Sequence, residues 1–233
     1  MTFKYILHIG LFILFYSSNT LAALQLNATR YIVNEGDKSI EIKIENIADK
    51  TYAAQIWIEN ENKKDKNVNF IPMPNFFKIN KGETQIVRLL NTQKSPSLKS
   101  ESLHWLNLQE VPPVDKSKKS RITLALKTRV KLIYRPKIIL DKRANAEKLL
   151  TIFKSNENIK ITNPTPFYLA VVSVKLNGKE VKLNNDMKQQ LGVFPPESSV
   201  LIKKNDVTTI SKFEFDAIND YGTVSHFQGK LGY

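Results

Sequence analysis

The 233-residue sequence contains no cysteine, which excludes disulfides, thiol catalysis and cysteine-ligated metal sites. Only eight glycines and three histidines are present, and no phosphate-binding glycine loop, GxSxG elbow or HExxH motif occurs. His104 and His226 lie far apart without metal-ligand spacing, so we expect both to be structural. A Ser-His-Asp triad assembled in space stays open from sequence alone, but the pattern predicts no enzyme, no catalytic residue, no metal and no cofactor.

Long apolar runs are absent except at the N-terminus. Lys4 precedes the apolar run Ile6–Tyr16, and Thr20-Leu21-Ala22 supplies small residues for cleavage. This order is typical of a secretory signal peptide, so we assign residues 1–22 to one. The run is too short to span a bilayer comfortably. The mature chain is therefore expected to be soluble and exported.

Negative charge is scarce relative to positive charge, and the formal net charge is +13. A basic surface attracts acidic partners, and nucleic acid is the usual inference. The predicted signal peptide argues against nucleic acid, since exported proteins rarely meet it. The lysine clusters Asn62–Lys66 and Lys116–Arg121 lie among polar residues and are interpreted as solvated loops.

Apolar and polar residues alternate in many parts of the sequence, most clearly in Ser120–Pro136. Steps of two place Ile122, Leu124 and Leu126 on one face and Lys131 on the other, which is a strand period. At 17 residues the segment exceeds the usual strand of about 5–6. It is either a long core strand or a strand with an unpaired apolar edge, which a protein must hide or use to bind another strand.

The rest of the chain also reads as short strands separated by turns, with no sustained helical period. The sequence Asn177-Gly178 predicts a tight hairpin. After Tyr134-Arg135-Pro136 the alternating pattern ends, and a short apolar patch is followed by charged and small residues. We predict an all-β fold of two immunoglobulin-like sandwiches. The expected boundaries are residues 23–137 for the first domain, 138–144 for a linker and 145–233 for the second domain.

Three cations lie inside otherwise apolar strand ends: Arg30, Lys131 and Arg135. Burying a positive group costs several kcal/mol unless an anion accompanies it. Glu101 and Asp220 are internal candidates for that anion. If Arg30 and Lys131 lack an internal partner, the acid would come from a ligand.

Five ordered blocks carry a family resemblance: Ala28-Thr29-Arg30, Glu101–Pro113, Val130–Pro136, Asn163–Phe167 and Ile218–Gly222. Together they resemble the periplasmic chaperones of the chaperone/usher pathway, the PapD-like pilus assembly chaperones. The likeness covers nearly the whole mature chain. Leu98-Lys99-Ser100 departs from the family pattern, which affects the local turn only.

The resemblance implies a cleft between two immunoglobulin-like domains in an L or boomerang arrangement. Arg30 and Lys131 would anchor the C-terminal carboxylate of a pilus subunit. Ile122, Leu124 and Leu126 would be the donor strand residues that fill the groove of the subunit. Since simple alternation puts Lys131 on the opposite face from these three, we expect a bulge or strong twist between them.

The resemblance also implies that Glu101, Arg135 and Asp220 form a buried charge network that fixes the angle between the domains. The short loop Val114–Ser120 places the chain near the short-loop branch. A periplasmic location, pilus subunits as clients and an outer-membrane usher as the next partner follow from the family. A homodimer that covers the donor strand of the free protein stays open, and the alternative function is a secreted fimbrial structural or adhesive β-sandwich.

Overall fold

The computed structural model describes residues 22–64, 67–93, 98–114, 123–155, 158–203 and 209–232. The predicted signal peptide and Ile122 therefore lie outside the described residues, apart from Ala22. The strands are β1 Leu24–Leu26, β2 Arg30–Asn34, β3 Ser39–Asn46, β4 Tyr52–Asn60, β5 Phe70–Met73, β6 Phe76–Ile79, β7 Thr84–Asn91, β8 Ser102–Val111, β9 Lys127–Arg135, β10 Thr151–Ser155, β11 Asn158–Asn163, β12 Val171–Leu176, β13 Lys179–Glu180, β14 Ser198–Lys203, β15 Phe213–Ile218, β16 Val224–Gln228 and β17 Lys230–Leu231.

Strands β1 to β9 form a first sandwich of two sheets, ordered β1-β3-β7-β5 and β2-β9-β8-β4-β6. Alternate residues of both sheets point inward and share one apolar core. The fully buried members with less than 2% exposure include Leu24, Val33, Ile42, Ile44, Ile56, Phe70, Val87, Leu89, Leu106, Leu108 and Leu132. Burial of this alternating set explains why the period of two predicted these strands.

Apolar and polar residues alternate over Leu24–Ile32, which predicts a single strand. That prediction is wrong, because the chain breaks at Asn27 and continues in the other sheet. Strand β1 pairs with β3, whereas β2 pairs in parallel with β9. The Asn27 side chain stabilises the break, since its Oδ1 accepts hydrogen bonds from Lys43 N at 3.0 Å and from Tyr31 OH at 2.8 Å. The core-facing residues change from even to odd numbers across the break, which is what lets Arg30 face away from this core.

Strand β9 is shorter than the predicted Ser120–Pro136 strand. It begins at Lys127, and Leu124 and Leu126 precede it with 77% and 47% of their surface exposed. Its pairing with β8 runs without a register shift from Lys127 to Tyr134. The expected bulge is therefore wrong: Val130, Leu132 and Tyr134 face the first core, and Lys131 simply occupies the opposite face.

The second sandwich comprises sheets ordered β14-β11-β10-β17 and β13-β12-β15-β16. Its core contains aromatic residues from several elements, namely Phe167, Phe194, Phe213 and Phe215. The hairpin predicted at Asn177-Gly178 joins β12 and β13, with φ of 50° and 78° at the two turn residues. Positive φ at both positions is the geometry that Asn-Gly favours.

Helical segments are present although the sequence showed no helical period. Two 3₁₀ helices span Lys137–Lys142 and Ala146–Leu149, and helix α1 spans Asn185–Gly192. The first of them covers residues 138–142 of the predicted linker, and its Ile139 is buried in the second core. None of the helices in the described ranges has the length and apolar character needed to cross a membrane.

Candidate functional site

Arg30 and Lys131 are directly paired neighbours on the parallel strands β2 and β9. Both side chains point away from the first core and reach the second domain. Arg30 Nη1 donates a hydrogen bond to Ile218 O at 3.1 Å, and Lys131 Nζ donates one to Gly192 O, at the end of α1. The parallel pairing thus brings together two cations that are 101 positions apart and places them where the domains meet.

The two cations lack an internal counter-ion among the described residues, where neither forms an ion pair with a carboxylate. Only 8% of Arg30 is exposed, and its buried Nε has no hydrogen-bond partner. Burial and then the charge of Arg30 lower the pKa of Lys131 to about 8. Burial also lowers the pKa of Arg30, although Asp220 opposes the shift. A buried cation and a partly buried one, each with only a carbonyl partner, form a site that favours an anion.

Among the described residues, the first part of β9 has one edge without a partner strand, beside these cations. Strand β8 covers one side of β9 from Lys127 onward, but β2 covers the other side only from Lys131 to Arg135. Leu126 O accepts from Glu110 N of β8, and Arg135 O accepts from Glu35 N beyond the end of β2. Since backbone groups alternate along a strand, the N–H and C=O groups of Lys127 and Arg129 point to the open edge.

Glu101, Arg135 and Asp220 are brought together by the structure. Arg135 Nε donates to Glu101 Oε1 at 2.6 Å, and Arg135 Nη1 donates to Asp220 Oδ2 at 2.8 Å. The side chains of Arg135 and Glu101 are 8% and 0% exposed. Glu101 Oε2 also accepts from Tyr168 N at 2.7 Å. The contacts join β9 and the residue that precedes β8 in the first domain to two segments of the second.

Arg143 and Glu147 belong to the same network, and sequence reasoning missed them. Arg143 Nη2 lies 2.9 Å from Asp220 Oδ1 and 2.7 Å from Glu147 Oε1. Burial acts to lower the pKa of Arg143, but the bond to Glu147 and the charge of Asp220 outweigh it and raise the pKa. The four-residue spacing of Arg143 and Glu147 was the available signal, because residues four apart can contact each other on a helix. Since Arg143 lay in the predicted linker, no helix was predicted there.

An interdomain cavity of about 670 Å³ opens beside the cation pair. Its first-domain wall is the outer face of the five-stranded sheet, and its second-domain wall is α1 with the segment that follows. The lining residues are Glu61, Trp105, Arg129, Tyr168, Asp186, Gln189, Gln190, Gly192, Val193 and Pro195. Trp105 is the direct cross-strand neighbour of Lys131, so the cavity and the cations share a border.

In the described ranges, no group of three or more His, Asp or Glu side chains is arranged to hold a metal ion. His226 contacts Asp216 and Glu214 at 2.8 and 3.4 Å on the surface of the second domain. Two cations, an open strand edge and a cavity make up the candidate site, and this combination suits binding of a chain terminus.

Comparison with known proteins identifies two family domains. Residues 23–139 match the family described as pili and flagellar-assembly chaperone, PapD N-terminal domain, and residues 145–228 match the pili assembly chaperone PapD, C-terminal domain. Between them these two models account for most of the chain.

Individual relatives agree. The chain is 40% identical over 212 residues to chaperone protein FanE of Escherichia coli, covering 91% of this chain and 92% of the relative. It is 32% identical over 207 residues to chaperone protein FaeE of the same species, covering 88% and 77%.

Solved structures show the same fold. The crystal structure of the periplasmic chaperone SfaE has a TM-score of 0.70 at 27% identity, covering 90% of this chain and 100% of that one. The SafB chaperone, solved in complex with the Salmonella enterica SafA pilin, has a TM-score of 0.72 at 22% identity, covering 91% and 97%. Two family domains, in order and on the predicted fold, establish that this chain belongs to the PapD-like pilus assembly chaperones, a non-enzymatic family.

Proposed function

We propose that this chaperone captures a pilus subunit in the periplasm by holding its C-terminal carboxylate on Arg30 and Lys131. The observation that supports this most directly is the cation pair itself, which lacks a carboxylate partner among the described residues and adjoins an unpaired strand edge. An incoming carboxylate would supply the missing anion and accept hydrogen bonds from both side chains.

The open edge of β9 supplies the second part of the proposed mechanism. A client that lacks a strand would pair with the edge at Lys127–Val130 and bury Leu124 and Leu126 in its own groove. Each apolar side chain buried in this way contributes about 1.5–3 kcal/mol. The same residues would cover the polymerising edge of the client until an outer-membrane usher accepts the subunit. Ile122 is assigned the same donor role from sequence.

The test is coexpression with a candidate subunit, comparing the wild type with Lys131→Ala. We expect the wild type to yield a one-to-one complex and the variant to lose it, because removing one member of a partly buried charged contact costs about 3–5 kcal/mol, a loss of about a hundredfold or more in affinity.

Lys127→Ala is the matched control, since Lys127 lies on the same face of β9 but is exposed. Normal subunit yield from Lys131→Ala would contradict the proposed anchor. The alternative, a fimbrial structural or adhesive component, is not favoured, because both family domains are chaperone domains.

In the absence of a client, a second copy of the chain is the partner that we propose for the exposed edge. Leu124 and Leu126, which directly precede β9, are largely exposed, and an exposed apolar edge of this kind invites pairing with another chain. Sedimentation of the purified protein should show a dimer that dissociates when a subunit is bound. A monomer at all concentrations would contradict this self-association.

A further inference from the structure

Glu110 is a carboxylate on the core-facing side of β8. It alternates in step with Leu106 and Leu108, which are fully buried in the first core, and only 4% of its own surface is exposed. Within the described ranges, no lysine, arginine or histidine side chain forms an ion pair with it. A buried carboxylate is costly unless donors and a cation accompany it, so the partner of Glu110 needs an explanation.

The group that Glu110 contacts is the beginning of the first domain. Glu110 Oε1 accepts a buried hydrogen bond from Leu24 N at 2.8 Å. One residue earlier, Ala23 O accepts from Ile47 N at 3.0 Å. Terminal residues are poorly ordered unless they are tied down. The two residues that follow the predicted cleavage point at Ala22 are therefore fixed in position.

Cleavage after Ala22 would create a charge beside this carboxylate. In the precursor, Ala23 N belongs to a peptide bond and is neutral, whereas in the processed chain it is an α-amino group with an ordinary pKa of about 7.7–8.0. Consecutive backbone nitrogens lie roughly 3–3.5 Å apart, so Ala23 N lies within about 6 Å of Glu110 Oε1. At that distance opposite charges already attract, and a small rotation about the Ala23 backbone brings the two groups into contact.

The space around the new terminus favours this contact. A cavity of about 340 Å³ is lined by Ala22, Leu24, Gln25, Leu26, Ala28, Thr29, Ile47, Thr128 and Val130, none of which carries a charged side chain. Loss of Ala22 would open the cavity toward Ala23. An ammonium in these surroundings has little competition for Glu110 from other charges.

We propose that Glu110 is the binding site for the α-ammonium group of Ala23, which removal of the signal peptide creates. The ion pair ties β1 to β8 and completes the first sandwich. The precursor lacks this charge, so the full stability of the domain is reached only after cleavage. The site lies apart from Arg30 and Lys131, and the proposal does not depend on client capture.

The test compares three forms of the chain that differ only at the N-terminus. The first begins at Ala23, the second begins at Ala23 and is Nα-acetylated, and the third begins at Thr20 and so carries its ammonium three residues away. Each is released from an N-terminal fusion by a protease that leaves no extra residue. At about pH 7 the first form should unfold about 5–10 °C above the other two, since only its ammonium reaches Glu110.

Substitutions identify the partner of the ammonium. Glu110→Gln keeps an acceptor for Leu24 N and removes the charge, so its three forms should unfold at the same temperature, the result of a double-mutant cycle for a direct contact. Glu45→Gln is the matched control, because Glu45 pairs with Gln25 of β1 but is exposed. It should retain the full difference among the three forms.

Amine labelling gives a readout that does not depend on stability. A bound carboxylate raises the pKa of the α-amino group and lowers its reactive neutral fraction. Acylation of Ala23 N at about pH 7 should therefore be about tenfold slower in the wild type than in Glu110→Gln, with the exposed lysines as internal references. Peptide mass spectrometry measures both rates.

Equal unfolding temperatures for the three wild-type forms would overturn the proposal, and this comparison holds even if Glu110→Gln fails to fold. A difference that persists in Glu110→Gln would assign the ammonium to another group and would overturn it too. The protein purified from periplasm should begin at Ala23, and a different first residue would remove the charge from the site and contradict the inference.

Discussion

At the scale of single residues, Lys131 is the group whose environment most affects function. Its pKa of about 8 lies below the ordinary value of 10.5, chiefly because burial disfavours the charged form. The unfolded chain therefore binds more protons than the folded one between about pH 8 and pH 10.5. Stability contributed by this residue rises with pH through that window. Near neutral pH the charge on Lys131, the proposed anchor, therefore lowers the free energy of unfolding.

Client binding should have the opposite pH dependence. A bound carboxylate favours the charged amine, so the pKa of Lys131 is expected to be higher in the complex than in the free protein. Affinity for a peptide with a free C-terminus should stay constant below about pH 8 and fall above it, by up to about tenfold per pH unit.

Titrations from about pH 7 to about pH 9 would check this dependence. Lys131→Arg is the control, because a guanidinium stays charged throughout the range and its affinity should be independent of pH. A flat profile for the wild type would show that the Lys131 charge does not contribute to capture.

Sequence patterns identified the three cations and the candidate acids Glu101 and Asp220, but only the family resemblance assigned those acids to Arg135. Arg30, Lys131 and Arg135 stand out because each interrupts an apolar run. Which of these cations pairs with an acid depends on the register between β2 and β9, about 100 residues apart, and on how the two domains dock. Neither the register nor the docking has a local sequence signal. In the structure both carboxylates pair with Arg135, whereas Arg30 and Lys131 contact backbone carbonyls.

At the scale of elements, β9 has two unlike edges, and proline substitution distinguishes them. Lys127 directs its N–H to the open edge, whereas Thr128 directs its N–H toward β8. Lys127→Pro should leave the unfolding temperature nearly unchanged and weaken client binding, because proline removes an edge donor only. Thr128→Pro should destabilise the fold by about 3 kcal/mol or more, the order of cost of proline inside a helix, since a ladder bond is lost.

Thermal unfolding and subunit copurification, measured on both variants, would check the pair. Full client binding by Lys127→Pro would contradict pairing of the client with this edge. Equal destabilisation by the two substitutions would contradict the assignment of backbone directions along β9.

Elements whose sequence carries a strong local signal were predicted, and elements whose local signal is weak were not. Asn177-Gly178 gave the correct hairpin because both residues adopt positive φ at little cost. Helix α1 was missed because it offers just two core-facing residues, Met187 and Leu191, at a single four-residue spacing. Its stability depends on Asn184, which caps Met187 N at 2.8 Å, and on packing against the second core.

At the scale of the whole molecule, hydrogen bonds from both strands of the anchor cross to the second domain. The first domain contributes Arg30, Lys131 and Arg135, and the second provides Ile218 O, Gly192 O and Asp220. The contacts of Arg30 and Lys131 use the cations proposed to bind the client. The charge network at Arg135, with the bonds of Glu101 to Tyr168 N at 2.7 Å and to Pro166 O at 2.9 Å, can hold the domains together while those two cations are engaged elsewhere.

Arg135→Ala tests that role. The substitution leaves Glu101 buried without its cation, and removing one member of a buried pair costs about 3–5 kcal/mol. For a chain of this size the loss corresponds to a fall of about 10 °C in unfolding temperature. Arg129→Ala is the control on the same strand and face, since its pair with Glu59 is 42% and 44% exposed and contributes about 1 kcal/mol or less.

Calorimetry of the two variants measures the difference, and small-angle scattering of the folded proteins reports the arrangement of the domains. If the network sets the angle, the Arg135→Ala profile should broaden while the Arg129→Ala profile matches the wild type. Equal unfolding temperatures with superimposable scattering would mean that the Arg135 network does not set the angle. The domains would then be held by the bonds of Glu101 to Tyr168 N and Pro166 O and by the carbonyl contacts of Arg30 and Lys131. Client capture would break the last two of these contacts, and subunit binding itself would loosen the joint between the domains.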